Sequence, residues 1–109
     1  MKFSAGFRDY VLDQLEDLGG VTARAMFGGV GIYCDGLFFG IIADDVLYLK
    51  VDDSNRSDYE AAGMRPFKPF ARRPTSMKYY AVPLRVLENR DDLLVWAKRS
   101  MKVAARQAR

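Results

Sequence analysis

The chain has 109 residues, half of them hydrophobic and 28% charged, with seventeen Lys and Arg against fourteen Asp and Glu for a formal net charge of +3. That length and apolar share suit one globular domain with a real core and exclude a disordered chain. Cys34 is the single cysteine and histidine is absent, which excludes an intrachain disulfide, a Cys-rich zinc site, an imidazole ligand and a Ser–His or Cys–His nucleophile.

The elements follow in chain order. Phe7, Val11, Leu15 and Leu18 recur at helical spacing, with Ser4 as N-cap and Gly19-Gly20 as the stop, so a first helix is expected over about 5–18. The period then changes to that of strands. Residues 21–27, 30–34, 37–43 and 46–51 read as an antiparallel meander, with Asp35-Gly36 the strongest hairpin signal and Asp44-Asp45 a second turn. Leu47 and Leu49 are expected on one face of the fourth strand, Tyr48 and Lys50 on the other. A short helix is expected over about 55–62, stopped by Gly63. Residues 64–76 carry three prolines and four basic side chains and read as a loop, with an edge strand near 67–70. A strand over 77–82 ends at Pro83. A turn at 84–87 then leads to Asn89 and a final helix over about 91–107. The pattern α-ββββ-α-β-α specifies one α+β domain, with helices on one face of a mainly antiparallel sheet.

No signal-peptide stretch and no apolar run near the roughly 18 residues of a membrane span is present, so no membrane association is expected and the cytoplasm is the expected location.

Charge is divided along the chain. Residues 1–63 carry a net charge of −6 and residues 64–109 a net charge of +9. On the final helix, Lys98, Arg99, Lys102, Arg106 and Arg109 form a basic flank beside an apolar arc of Leu93, Leu94, Ala97, Met101, Ala104, Ala105 and Ala108. This flank suits a solvated face that also opposes the helix dipole, a surface for nucleic acid or an acidic partner, or pairing with the acidic half of the chain.

Candidate chemistry is sparse. Gly28, Gly29 and Gly31 lie between two strands rather than before a helix and match no phosphate-binding motif, so they read as a turn or bulge. Cys34 has no local cation to activate it and reads as structural. Asp44-Asp45 and Asp52-Asp53 sit where Asp makes turns and caps. Lys78-Tyr79-Tyr80, and Lys68 between Phe67 and Phe70, interleave cations with aromatics. That pattern suits edge-strand packing or a single-stranded nucleic-acid surface. Within a strand, one of Tyr79 and Tyr80 must face inward. Trp96 reads as a core or interface anchor.

Several blocks occur together in order: Arg24-x-Met26-Phe27-Gly28-Gly29-x-Gly31, Leu47-Tyr48-Leu49-Lys50-Val51, Ala62-Gly63-Met64-x-Pro66-Phe67, Met77-x-Tyr79-Tyr80-x-Val82-Pro83 and Leu93-Leu94-x-Trp96-Ala97. This series resembles the N-terminal domain of the TfoX/Sxy family over nearly the whole chain. The resemblance implies a two-layer fold with a curved antiparallel sheet and an association with regulating bacterial competence genes. Members that act in competence carry a second, C-terminal domain of helix-hairpin-helix character, so this chain, ending at Arg109, is expected to be a stand-alone first domain. The family supplies no catalytic residues, and no cofactor or metal is expected.

The expected function is a non-enzymatic regulatory module acting on a transcription-related protein partner, with Arg24, Lys50, Tyr79 and Tyr80 as partner-binding residues. Arg24 and Lys50 form a basic spot if their side chains share the solvent face of the sheet. The alternative is direct nucleic-acid binding through Lys98, Arg99, Lys102, Arg106 and Arg109. A homodimer, paired through a strand edge or the Trp96 face, is a further expectation.

Overall fold

A computed structural model describes residues 4–26, 28–67 and 78–108. Its order is α1 (Ala5–Gln14), a 3₁₀ turn (Glu16–Leu18), β1 (Val21–Met26), β2 (Gly29–Cys34), β3 (Leu37–Ala43), β4 (Val46–Lys50), α2 (Arg56–Ala61), β5 (Tyr79–Ala81), α3 (Leu84–Leu87) and α4 (Arg90–Gln107). The five strands form one antiparallel sheet in the order β1-β2-β3-β4-β5. The helices lie on one side of it, giving the expected α+β architecture.

Local chemistry places the ends of these elements. The Ser4 hydroxyl accepts from the Phe7 amide, and the Asn89 side chain accepts from the Asp92 amide. Each satisfies an orphan donor at a helix start. α1 is shorter than the 5–18 expected. Its last turn tightens to 3₁₀, the Leu18 amide donating to the Leu15 carbonyl, because the chain must reverse at Gly19 and Gly20, both at positive φ. α2 ends in a Schellman motif: the Gly63 amide donates to the Glu60 carbonyl and the Met64 amide to the Tyr59 carbonyl. Asp35-Gly36 and Asp44-Asp45 have positive φ at both positions, as a type I′ hairpin turn requires.

The turn expected at 84–87 is a single helical turn, α3, and Gln14 on α1 holds it by donating to the Leu87 carbonyl at 2.9 Å. β5 covers Tyr79–Ala81, with Lys78 outside the strand; Met77, the expected start of the strand, and Lys68 and Phe70 lie outside the described residues. The segment before them pairs with β5 through a bridge between Pro66 and Tyr80, and the Phe67 amide donates to the Tyr79 carbonyl.

The core lies between helices and sheet. Val30, Ile32, Phe39, Ile42, Leu47, Leu49 and Tyr80 from the strands meet Val11, Leu15, Tyr59, Val86, Leu93, Ala97 and Ala104 from the helical layer. A β-bulge where Ile32 pairs with Gly40 and Tyr33 with Phe38 turns the extra residue, Phe39, into this core, where it is fully buried. On α4 the buried set is Leu93, Ala97, Ser100, Val103 and Ala104. The arc expected from the sequence thus gains Ser100 and Val103 and loses Ala105 and Ala108, which are exposed. Trp96 is half-buried and meets Tyr59 edge-on at 4.6 Å. No described helix is long and apolar enough to cross a membrane.

Candidate functional site

Because side chains alternate along a strand, the sheet has a second face, turned away from the helices. Gly31, Tyr33, Phe38, Ile41, Tyr48, Lys50 and Tyr79 belong to it by register, as does Arg24. The rings form a ribbon across the strands. Tyr33 and Phe38 have centroids 5.1 Å apart, and Phe38 and Tyr79 5.8 Å. Tyr48 packs on Phe67 at 4.7 Å.

Gly31 is the floor of this ribbon. A Cβ there would lie 2.9 Å from the Met26 sulfur, 3.1 Å from the Phe38 ring and 3.2 Å from the Tyr33 ring. Gly29 has a different reason to be glycine, since its Cβ would sit 2.6 Å from the Ile42 carbonyl oxygen. Gly28, at φ 81°, lies in the tight turn between Met26 and Gly29, which pair. The glycine block therefore makes a hairpin and lets strands and rings approach closely.

Two cations ride on the ribbon. The Arg24 guanidinium lies 5.4 Å from the Tyr33 centroid. The Lys50 ammonium lies 5.8 Å from Phe38 and 5.7 Å from Tyr79, all within cation–π range. Arg24 and Lys50 are the charged residues of the five strands, which contain no Asp or Glu. Lys50 is half-buried. Burial, then the positive charge of Lys78, push its pKa below the ordinary lysine value. Burial, then Tyr33, push the Tyr79 hydroxyl up to about 12. Burial, then Asp44, raise Tyr48.

The structure thus brings Arg24, Lys50 and Tyr79 onto one face and separates Tyr80 from them. Tyr80 is a correction to the expected set: it is 2% exposed, pairs with inward-facing Leu49, and stacks at 5.9 Å on Tyr59 in the core. Its hydroxyl reaches toward Glu60 at 3.5 Å. Tyr33 and Phe38 join the surface instead. Their strand alternation was the only sequence signal for this, and the bulge at Phe39 obscures it.

The basic flank of α4 has a different surrounding. Arg99 pairs with Asp58 at 2.5 Å, and Arg106 with Asp52 at 2.9 Å and with the Ser54 hydroxyl. Arg90 at the helix start pairs with Asp13 and Glu16. The basic half of the sequence is thus turned on the acidic half within one chain. Lys98 and Lys102 are exposed and make no ion pair among the described residues, while Arg109 lies outside them.

The remaining polar candidates serve local structure. The Ser54 hydroxyl, and then Arg106, hold the Asp52 carboxyl down at about 2. The Asp45 carboxylate accepts from the Ser4 amide at 2.7 Å. The Cys34 thiol is buried and donates to the Gly19 carbonyl at 3.1 Å; burial, then Asp35, raise its pKa, the opposite of activation.

No curated protein matches the chain. The family model of the TfoX N-terminal domain matches residues 13–104, from the end of α1 to the last buried turn of α4. The matched span carries the meander, the glycine floor, the ring ribbon and both of its cations, and the protein is a member of the TfoX N-terminal domain family.

Proposed function

We propose that this chain is a non-enzymatic regulatory module that works by protein–protein contact through the outer face of its sheet, in the control of competence or other transcription. Family membership supports a regulatory role. The observation that carries the surface is the pairing of Arg24 and Lys50 with an aromatic ribbon on strands that hold no carboxylate. Lys50 is half-buried with no carboxylate partner among the described residues, an arrangement that costs desolvation and supports a role beyond packing. Aromatics beside Arg are also the side chains that dominate binding energy at protein interfaces.

The test is affinity capture from extracts of the source cells, using the full chain and its Arg24→Glu/Lys50→Glu variant. A transcription-associated protein retained by the first and lost by the second, with the fold unchanged by circular dichroism, is the expected result. The same proteins on both would contradict the proposal. Direct nucleic-acid binding is checked alongside with a fluorescent duplex and single strand at about 50 mM salt, where phosphate contacts are strong. Steeply salt-dependent binding lost in Lys98→Glu/Lys102→Glu would move the function to α4.

A further inference from the structure

We propose that the outer sheet face receives an acidic, extended segment of the partner protein, with one carboxylate at Arg24, a second at Lys50 beside Tyr79, and the residues between them lying on Tyr33 and Phe38. This inference rests on the interaction-module proposal above and names the chemistry of its partner.

Charge complementarity carries it. Arg90, Arg99 and Arg106 each have a carboxylate partner, as does Arg56 in Asp53. Asp52, Asp53, Asp58, Asp13 and Glu16 are engaged there. Arg24 and Lys50 have only rings beneath them and no ion pair among the described residues. Lys50 is also half-buried with Lys78 near it, so an anion arriving there meets a partly desolvated cation and gains more than it would at an open surface.

The rings decide between kinds of anion. Base stacking by a single strand needs open aromatic faces. Here Tyr33 carries Arg24, Phe38 and Tyr79 share Lys50, and the rings are tilted 33° and 46° to one another. The face offers point charges over an apolar floor, which suits carboxylates flanking apolar side chains. Arg24 on β1 is level with Tyr48 on β4 across three strand spacings, ~14 Å at about 4.8 Å per strand, and Lys50 lies two residues further along β4. An extended chain covers the resulting ~16 Å in about four to five residues.

The probe is a short fluorescein-labelled peptide with two Glu four residues apart and Val or Leu between them, followed by anisotropy against the full chain at low salt. The control peptide has Gln in place of both Glu. The Glu peptide is expected to bind at least about 10-fold tighter than the Gln peptide, with Arg24→Gln and Lys50→Gln each weakening it by about 5-fold and Lys98→Gln leaving it unchanged. Arg24 is exposed on an edge strand, so its variant stays informative even if Lys50→Gln perturbs the fold. Equal binding of the two peptides, no binding of either, or tighter binding of oligo-dT would overturn the inference. So would a homodimer in light scattering that Lys50→Gln dissociates, since a second copy would then occupy the face. If peptides fail but the captured partner still depends on Arg24 and Lys50, the acidic segment alone is refuted. If capture is indifferent to both residues, the interaction surface itself is refuted.

Discussion

Replacing Gly29 by Ala tests whether the glycine block is a packing device. Gly29 has no positive φ, so backbone freedom does not explain it. What explains it is that a Cβ would stand 2.6 Å from the Ile42 carbonyl oxygen, a backbone atom of the neighbouring strand. An ordinary carbon–oxygen contact needs well over half an ångström more, and β2 and β3 must part or shear to supply it. Overpacking of this kind costs about 1–3 kcal/mol, partly offset by the roughly 0.5–1 kcal/mol that Ala gains over Gly inside a strand. The net expectation is a loss of about 1–2 kcal/mol. In a urea titration with a slope of about 2 kcal/mol per molar, the midpoint falls by about 0.5–1 M. Gly31→Ala is the internal comparison. Its Cβ meets the flexible end of Met26 and two ring edges rather than backbone, so its midpoint is expected within about 0.5 M of wild type while the ring signals of Tyr33 and Phe38 shift. Gly6→Ala, with nothing near its Cβ inside α1, is expected to stabilise by about 0.5–1 kcal/mol. A Gly29→Ala protein as stable as Gly6→Ala would refute the steric account and reopen a ligand-binding role for the block.

Phe39→Ala empties the bulge pocket at the centre of the core and is expected to cost about 3–5 kcal/mol, read as a fall in melting temperature; a fall of only a degree or two would mean the bulge residue is not in the core. Asp52, held near 2 against 3.8 for a free carboxyl, binds its proton less readily folded than unfolded. It therefore contributes stability above about pH 4 and loses it as pH falls toward 2, and Asp52→Asn is expected to flatten that limb of the pH–stability curve and cost about 1 kcal/mol at neutral pH. Wild-type and variant curves that stay parallel would refute that role. Cys34, buried with its pKa raised, is expected to react with a disulfide reagent only as fast as the chain opens; rapid labelling of the native protein would contradict the packing described.

Where the chain reverses was readable from short-range chemistry. Ser4 and Asn89 cap helices, Gly63 stops one, and Asp35-Gly36 and Asp44-Asp45 turn with both residues at positive φ, all through contacts within a few residues. The side of the sheet on which a residue lies was less readable. Alternation says that Tyr79 and Tyr80 oppose one another but not which is inside; the register with Leu49 and the ring of Tyr59 decide it. The bulge at Phe39 depends on β2 and leaves no local mark. On α4, Ser100 is buried against Tyr59 because a small side chain fits there, while Ala105 and Ala108 run past the core. The −6 and +9 halves were visible in the sequence, but pairs such as Arg99–Asp58 and Arg106–Asp52 are set by packing across more than forty positions. Of the candidate surface, Arg24 and Lys50 were legible as charges in apolar strands, whereas Tyr33 and Phe38 beneath them needed the fold.

The central claim, that the outer sheet face and not α4 meets the partner, is tested most directly by photo-crosslinking in cells. A crosslinking amino acid is placed at Ile41 on the outer face in one protein and at Lys98 on the exposed flank of α4 in another. A discrete protein adduct from position 41, abolished by Arg24→Glu/Lys50→Glu and missing from position 98, is the expected result. An adduct from position 98 alone would contradict the account.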